Sequence, residues 1–379
     1  MSLTEKNLNL TTSIAPLGLI STSGAVELTN KVNYYLTKWH SNENVDNYII
    51  DSMCPRFSSG DAKGLIKSTI RGKDLYILVD VGNYSVKYDY FGFKNSMSPD
   101  DHFQDLKRLI QAASGKAHRI SVIMPSLYGG RQHRRSYRES LDCACALQEL
   151  ESMGVTNIIC FDAHDPRMQN AVPLMGFDNV MPTYQVLKSI IKNIPDINFS
   201  KNKFMIVSPD EGALYRNIYY ASVLGVDMGM FYKRRDYSTI INGRNPIVAH
   251  EYLGNSVKGK DIFIADDIIS SGDSMLDLAY SLKEKQANRL FIFATYPIFT
   301  NGLDKFNDAY KNGIINGVFG TNLTYRTPEL LNSPWFYDVD MSKYIAYIIE
   351  AINHDVSISQ LLDPHDKIDA LLKKHNIIN

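Results

Sequence analysis

Two adjacent carboxylates, Asp266 and Asp267, stand directly after a short apolar run, Ile262 to Ala265, and before a hydroxyl-rich turn, Ser270-Ser271-Gly272-Asp273-Ser274. From Ser274 the apolar spacing becomes helical, through Leu276, Ala279 and Leu282. A strand, a turn and a helix N-terminus in that order form an anion site. The free N–H groups of the turn and the positive end of the helix dipole converge on one spot. The two carboxylates can each accept hydrogen bonds from hydroxyls such as the 2′ and 3′ groups of a ribose. The physical reading is a site for a phosphorylated sugar. The bland alternative is a buried strand ending in a solvated, acid-rich turn.

Four more polar loops follow predicted strands. Pro125 to Arg135 contains Arg131, Gln132, His133, Arg134 and Arg135 after a strand over Arg119 to Met124. Arginine offers phosphate a planar, permanently charged fork, although a solvated basic loop has the same composition. Asp162-Ala163-His164-Asp165 follows a strand over Asn157 to Phe161. Its histidine suits a metal or a proton, or else a structural cap. Ser208-Pro209-Asp210-Glu211-Gly212-Ala213 opens a helix. Its acids suit Mg²⁺, and an N-cap explains only one of them. Tyr232-Lys233-Arg234-Arg235-Asp236 follows a strand over 227–231. Three consecutive cations are usually a solvated face, but at a strand end opposite an anion site they can hold a transferring phosphoryl group.

The elements that must carry these loops alternate. A helix is expected from Ala25 to Trp39, a strand from Leu75 to Val81, an aromatic insertion or long loop over 82–98, and a helix from Pro99 to Gly115. Helices over 183–193, 212–224 and 274–286 then alternate with strands over 203–207, 227–231, 246–251, 261–265 and 289–295. Alternation of this kind implies right-handed βαβ units and parallel sheets, with ligands at the carboxyl ends of the strands. A last helix runs from Ser342 to His354, before a polar, helical-looking tail.

At 379 residues, 44% hydrophobic and 21% charged, the chain has the length of two soluble domains. A formal net charge of -1 argues against a nucleic-acid binder that works through bulk charge. No apolar run approaches a membrane span and no secretory signal is evident, so a cytoplasmic location without membrane attachment is expected. Cys54, Cys143, Cys145 and Cys160 lack zinc spacing and read as reduced core thiols.

From about Arg56 to Gly302 the order and spacing of these segments resemble the ribose-phosphate pyrophosphokinase family. The resemblance implies two tandem phosphoribosyltransferase-like (type I) α/β domains, each a mainly parallel sheet flanked by helices. The expected bounds are 1–180 for the ATP side, 181–340 for the ribose-phosphate loop, and 341–379 for a C-terminal helical tail. It implies synthesis of phosphoribosyl diphosphate from ATP and ribose 5-phosphate with Mg²⁺, for nucleotide biosynthesis. The assembly implied is a homo-oligomer, dimer-based or hexameric, with the ATP site shared between subunits.

Residue by residue, Phe57, Ser59 and Asp61 match the segment that reaches the ATP base of a neighbouring subunit. Arg131 and Gln132 match ATP contacts, and His164 matches the ATP and metal site. Asp210 matches an aspartate near Mg²⁺ and the ribose. Lys233 and Arg235 match the lysine and second arginine of a flexible catalytic loop that stabilise the transferred group. Asp266, Asp267 and the Ser270, Ser271, Gly272, Asp273, Ser274 turn match the ribose-phosphate site.

The chain departs from the family pattern at Ser270 (usually Asp), Asp273 (usually Gly), Asp61 (usually Glu), Ser59 (usually Asn) and His133 (usually Asp). A carboxylate at Asp273 should repel a phosphate dianion, and a phosphodiester-bearing acceptor such as ADP-ribose would suffer less. A plain phosphoribosyltransferase shares only the last motif, and a non-catalytic regulatory relative would not need His164, Lys233 and Arg235.

Overall fold

Short apolar runs bounded by turns become parallel strands, as the alternation requires. The computed structural model describes residues 12–41, 46–235 and 247–375. The chain begins with β1 (Leu17–Ser21), α1 (Val26–Trp39), β2 (Ser52–Met53), β3 (Leu65–Ile66), β4 (Asp74–Leu78), β5 (Lys87–Tyr90) and β6 (Phe93–Ser96). There follow α2 (Pro99–Ala113), β7 (Arg119–Ile123), α3 (Asp142–Ser152), β8 (Asn157–Phe161) and β9 (Gly176–Val180). One sheet runs β1-β4-β7-β8-β9, parallel throughout. Its inner strand β4 is buried along its whole length, which is why it reads as a nearly continuous apolar run instead of an alternating one. Helix α2 starts at a capping box between Ser98 and Asp101 with Pro99 in its first turn. It buries Phe103, Leu106, Ile110 and Ala113, the stripe its spacing predicts.

The next stretch holds α4 (Thr183–Asn193), β10 (Phe204–Ser208), α5 (Leu214–Leu224), β11 (Asp227–Arg235), β12 (Ile247–Leu253), β13 (Asp261–Ile269) and α6 (Asp273–Glu284). It continues through β14 (Leu290–Pro297), α7 (Asp304–Lys311), β15 (Gly317–Thr321), α8 (Pro328–Leu331) and β16 (Phe336–Val339). The strand order is β12-β11-β10-β13-β14-β15-β16, with β12 antiparallel and the other pairs parallel. Beyond it lie α9 (Ser342–Asn353), α10 (Ser359–Leu362) and α11 (His365–Lys374).

The chain forms two compact units. One runs up to Pro182 and takes in Asn322–Tyr325 and Asp340–Asp363; the other holds Thr183–Thr321, Arg326–Val339 and the residues from Pro364. The C-terminal stretch is therefore divided between the units and does not form a separate tail. Helix α9 is stitched into the first unit: Trp39 stacks on Tyr347 at 4.5 Å, and the Asn353 amide donates to the buried Asp74 carboxylate at 2.9 Å. Asp74 also accepts the Arg119 guanidinium in two bonds of 2.8 and 2.7 Å.

Four sequence expectations shift. Residues 82–98 contain the β5–β6 hairpin, closed at Phe91-Gly92 with φ of 47° and 82°, where a loop was expected. Strand β9 was not foreseen, because Gly-Phe-Asp-Asn-Val at a sheet edge carries no apolar run. Strand β13 continues to Ile269, so the aspartate couplet lies inside the strand and not after it. Strand β11 continues to Arg235, so the cationic triplet is strand as well. The antiparallel ladder to β12 gives these charged residues their backbone partners.

Candidate active site

Asp266 sits beside Ala294 in the β13–β14 ladder, and the pairing continues to Ile269 and Pro297. The couplet is thus held by backbone on a central strand. Arg216 of α5 is buried and turns its guanidinium toward both acids, 3.5 Å from Asp266 and 3.9 Å from Asp267. Burial and the neighbouring Asp267 charge push the Asp266 carboxyl well above the usual range, and Arg216 pulls against them. The next residue, Asn217, is fully buried and ties the strand end down. Its carbonyl oxygen accepts the Ala265 N–H at 3.2 Å, while its amide donates to Ala265 O and Ala213 O at 2.8 Å and to Ser208 Oγ at 3.3 Å. Ser208 Oγ donates to Asp210 O at 2.8 Å, and Asp210 Oδ1 accepts the Ala213 N–H at 3.1 Å. One turn of α5 therefore positions both the aspartate couplet and the Asp210 loop.

The hydroxyl-rich turn ends at Gly272, whose φ of 81° is left-handed, and a side chain there would strike the Phe306 ring. Helix α6 begins at Asp273. The Thr300 N–H donates to Ser270 O at 2.9 Å, and the Asp273 N–H reaches Ser271 Oγ at 3.4 Å. The Asp273 carboxylate pairs with Lys305 of α7 at 2.5 Å. Hydrogen bonding to Lys305, Ser271 and Asn301 holds its pKa below the usual value. The extra charge in the turn therefore comes with its own cation.

The backbones of Lys233, Arg234 and Arg235 pair with β12, Lys233 opposite His250 and Arg235 opposite Ile247, with an irregularity between Arg234 and Arg235. Asp236 and the rest of that loop lie outside the described residues.

In the first unit, His164 follows β8, after Asp162 at φ 46°. The Ala163 N–H is held by Asn179 of β9 at 2.9 Å. The His164 ring meets the His133 ring edge to face, with centroids 5.3 Å apart. His133 Nε2 lies 3.4 Å from Asp165, whose carboxyl is lowered to about 2 chiefly by hydrogen bonds from Arg167. Desolvation lowers the His133 pKa and the Asp165 charge opposes it. Arg131 is exposed, whereas the Gln132 amide braces its own loop by donating to Arg134 O and Ser140 O at 3.1 and 3.0 Å. Phe57, 54% exposed, caps a tight turn in which its N–H donates to Asp61 O at 2.7 Å and Ser59 Oγ donates to the Asp61 carboxylate at 2.9 Å.

Sequence reasoning missed Arg216, Asn217 and Lys305, and it saw His133 only as a departure. An arginine and an asparagine side by side in the apolar stretch Leu214 to Leu224 were the available signal. Nothing in the sequence marks Lys305.

Among the described residues no three His, Cys, Asp or Glu side chains gather as a metal cage. A single carboxylate suits Mg²⁺, which keeps several waters and is commonly bound through one or two carboxylates plus substrate phosphates. Among the described residues, no helix is long and apolar enough to cross a membrane.

Parallel-sheet units, one carrying an acid couplet before a hydroxyl-rich turn and helix start, define a protein of the phosphoribosyltransferase class. Residues 17–154 match the N-terminal domain of ribose phosphate pyrophosphokinase, and residues 177–308 match the phosphoribosyl transferase domain. The chain belongs to the ribose-phosphate pyrophosphokinase family. It is 27% identical over 318 residues to a ribose-phosphate pyrophosphokinase of Shewanella oneidensis, covering 82% of this chain and 90% of the relative. It is 26% identical over 321 residues to that of Vibrio cholerae, covering 83% and 91%. The fold matches the crystal structure of phosphoribosylpyrophosphate synthetase from Mycobacterium smegmatis with a TM-score of 0.73 at 20% identity, covering 90% of this chain and 99% of that one.

Proposed function

We propose that the chain transfers the β,γ-diphosphoryl group of ATP to the anomeric hydroxyl of ribose 5-phosphate, giving phosphoribosyl diphosphate and AMP for nucleotide biosynthesis. The observation that carries this reading is the Asp266–Asp267 couplet fixed on β13 against Arg216, one turn before the Ser270–Ser274 cradle. A vicinal diol bridges two carboxyl groups held at fixed spacing, and the turn receives the group on the sugar's C5.

The anomeric hydroxyl gives its proton to solvent water as its oxygen attacks the β-phosphorus in line, the bond from that phosphorus to the α-phosphate's bridging oxygen breaks, and AMP leaves with that oxygen. Lys233 and Arg235 neutralise charge developing on the transferred group, while Arg131 and Gln132 hold the ATP phosphates. Phe57, Ser59 and Asp61 of one subunit approach the base bound by the next, in a cytoplasmic homo-oligomer built from dimers. Asp210 in the second unit and His164 in the first are each proposed as a Mg²⁺ contact, and Mg²⁺ would supply charge neutralisation on the nucleotide phosphates. Positioning and electrostatics carry this class of reaction, and no general base is assigned.

Asp273 favours a second reading of the acceptor. A carboxylate in the cradle, even one paired with Lys305, disfavours a dianionic monoester more than a monoanionic phosphodiester. ADP-ribose has that chemistry. The deciding assay is AMP release from ATP with ribose 5-phosphate, with ADP-ribose, and with no acceptor. Acceptor-dependent AMP supports the reading, and the better acceptor selects between the two. Consumption of phosphoribosyl diphosphate with a nucleobase and no ATP would replace it with a phosphoribosyltransferase. No turnover of any kind would leave a regulatory relative.

A further inference from the structure

The β5–β6 hairpin is joined to the Phe57 turn at three points. The Phe91 N–H donates to Ser58 O at 3.2 Å. Tyr90 lies over Gly60, where an added Cβ would come within 2.6 Å of its ring. The Arg56 guanidinium sits 4.9 Å from the centre of the Tyr88 ring and is anchored to Asp105 at 3.0 Å. Tyr88 faces Asn95 and Tyr90 faces Phe93 across the hairpin, so these four share one face, the face toward the Phe57 turn. The opposite face carries the solvated Asp89–Lys94 pair.

The tip is costly for this chain alone. Phe91 occupies a left-handed conformation (φ 47°) that glycine or asparagine ordinarily fills, and its ring remains 69% exposed. Phe93 is 72% exposed although it lies on the inward face. Three open rings, counting Phe57, expose a few hundred Å² at about 150–250 Å² per aromatic. That falls short of the roughly 800 Å² per partner of a specific protein interface, and it is the scale of one or two nucleobases.

We infer that Phe91 and Phe93 extend the Phe57 turn into an aromatic platform that stacks on the base of a nucleotide substrate. This rests on the reading above, in which the Phe57 turn meets a base held by a neighbouring copy; the hairpin, fixed to that turn, arrives with it. The base can belong to the ATP donor or to an adenine-bearing acceptor, and each makes the same stacking contact.

The test is calorimetric titration of the intact oligomer with α,β-methylene-ATP, ADP-ribose and the base-free ribose 5-phosphate, for the wild type, for Phe91→Gly with Phe93→Ala, and for Phe57→Ala. Phe91→Gly relieves the left-handed strain, so the hairpin stays formed. In the hairpin variant, affinity for at least one base-bearing ligand is expected to fall about tenfold, with ribose 5-phosphate unchanged. The ligand affected identifies the source of the base. Unchanged affinity for both base-bearing ligands, an equal fall for ribose 5-phosphate, or a change confined to oligomeric state overturns the inference. Phe57→Ala separates the two layers when the hairpin variant is silent. If it alone weakens nucleotide binding, the base-contact reading stands without the hairpin; if it too is silent, both fall.

Discussion

Arg216→Met retains an unbranched stem of similar reach and removes the guanidinium from the aspartate couplet. At 3.5 and 3.9 Å and an effective dielectric near 20, each contact represents about 4–5 kcal/mol of Coulomb attraction. The variant no longer bears the cost of desolvating the arginine, and Asp266 keeps partial contact with water. The net loss should therefore sit near the low end of the range for breaking a buried pair, about 3 kcal/mol at pH 8. The sign with pH follows from the raised carboxyl. Asp266 already titrates well above its unfolded value in the wild type, so the folded state retains a proton that the unfolded state has released. Stability associated with that group is complete below about pH 4 and falls as pH rises through the folded value. Removing Arg216 raises that value further, so the deficit of the variant should be smaller near pH 4, where Asp266 is protonated in both proteins, than at higher pH. Urea unfolding of both proteins at pH 4.5, 6 and 8 measures this. A deficit independent of pH, or one below about 1 kcal/mol at pH 8, would refute the assignment of Arg216 as counter-charge to the couplet.

Four further outcomes are expected. His102 is fully buried, with Nε2 bonded to Asn83 O at 2.7 Å and Nδ1 unpartnered, and desolvation lowers its pKa. The unfolded state therefore binds the extra proton, and stability should decline as pH drops below about 6.5, a slope that His102→Gln removes in thermal melts. Asn217→Leu leaves the Ala265 N–H and C=O without their side-chain partner and should lower stability by about 2–4 kcal/mol in urea titrations, with the affinity for ribose 5-phosphate falling as well. Lys233→Ala should reduce kcat by orders of magnitude with modest change in acceptor KM, and unchanged turnover would remove Lys233 from the mechanism. Asp273→Asn should shift the ratio of kcat/KM for ribose 5-phosphate over ADP-ribose upward by about tenfold, and an unaltered ratio would clear Asp273 of a specificity role.

The sequence reveals what is periodic or local. Leu106, Ile110 and Ala113 repeat at helical spacing, and β8 and β14 are continuous apolar runs, so parallel strands and covering helices could be read directly. The strand–turn–helix order around Gly272 was equally local. What stayed hidden depends on pairing partners distant in the chain. Charged residues at the ends of β11 and β13 look like loop by composition, and only the ladders to β12 and β14 make them strand. The β5–β6 hairpin does alternate, Tyr88 and Tyr90 toward the Phe57 turn and Lys87 and Asp89 away from it, but each strand is only four residues long and the Phe91-Gly92 turn is not a usual hairpin signal. Lys305 reaches Asp273 from 32 residues away along the chain, which no spacing rule can anticipate.

The strand placement of the couplet accounts for Arg216. Aspartates on a flexible loop would be solvated and would need no dedicated cation. Held in the β13 ladder and largely out of water, two adjacent carboxylates repel one another, and the fold tolerates them only with a buried positive group close by. Helix α5 supplies that group at Arg216 and, one residue on, fixes the strand end with Asn217. The acids consequently cannot swing apart when a ligand arrives, and little reorganisation is left for the binding step. In the proposed reading, a couplet that receives a sugar hydroxyl pair in one orientation needs that rigidity more than it needs mobility. The polar pair inside an apolar helix is thus the feature by which such a site can be found before any ligand is seen.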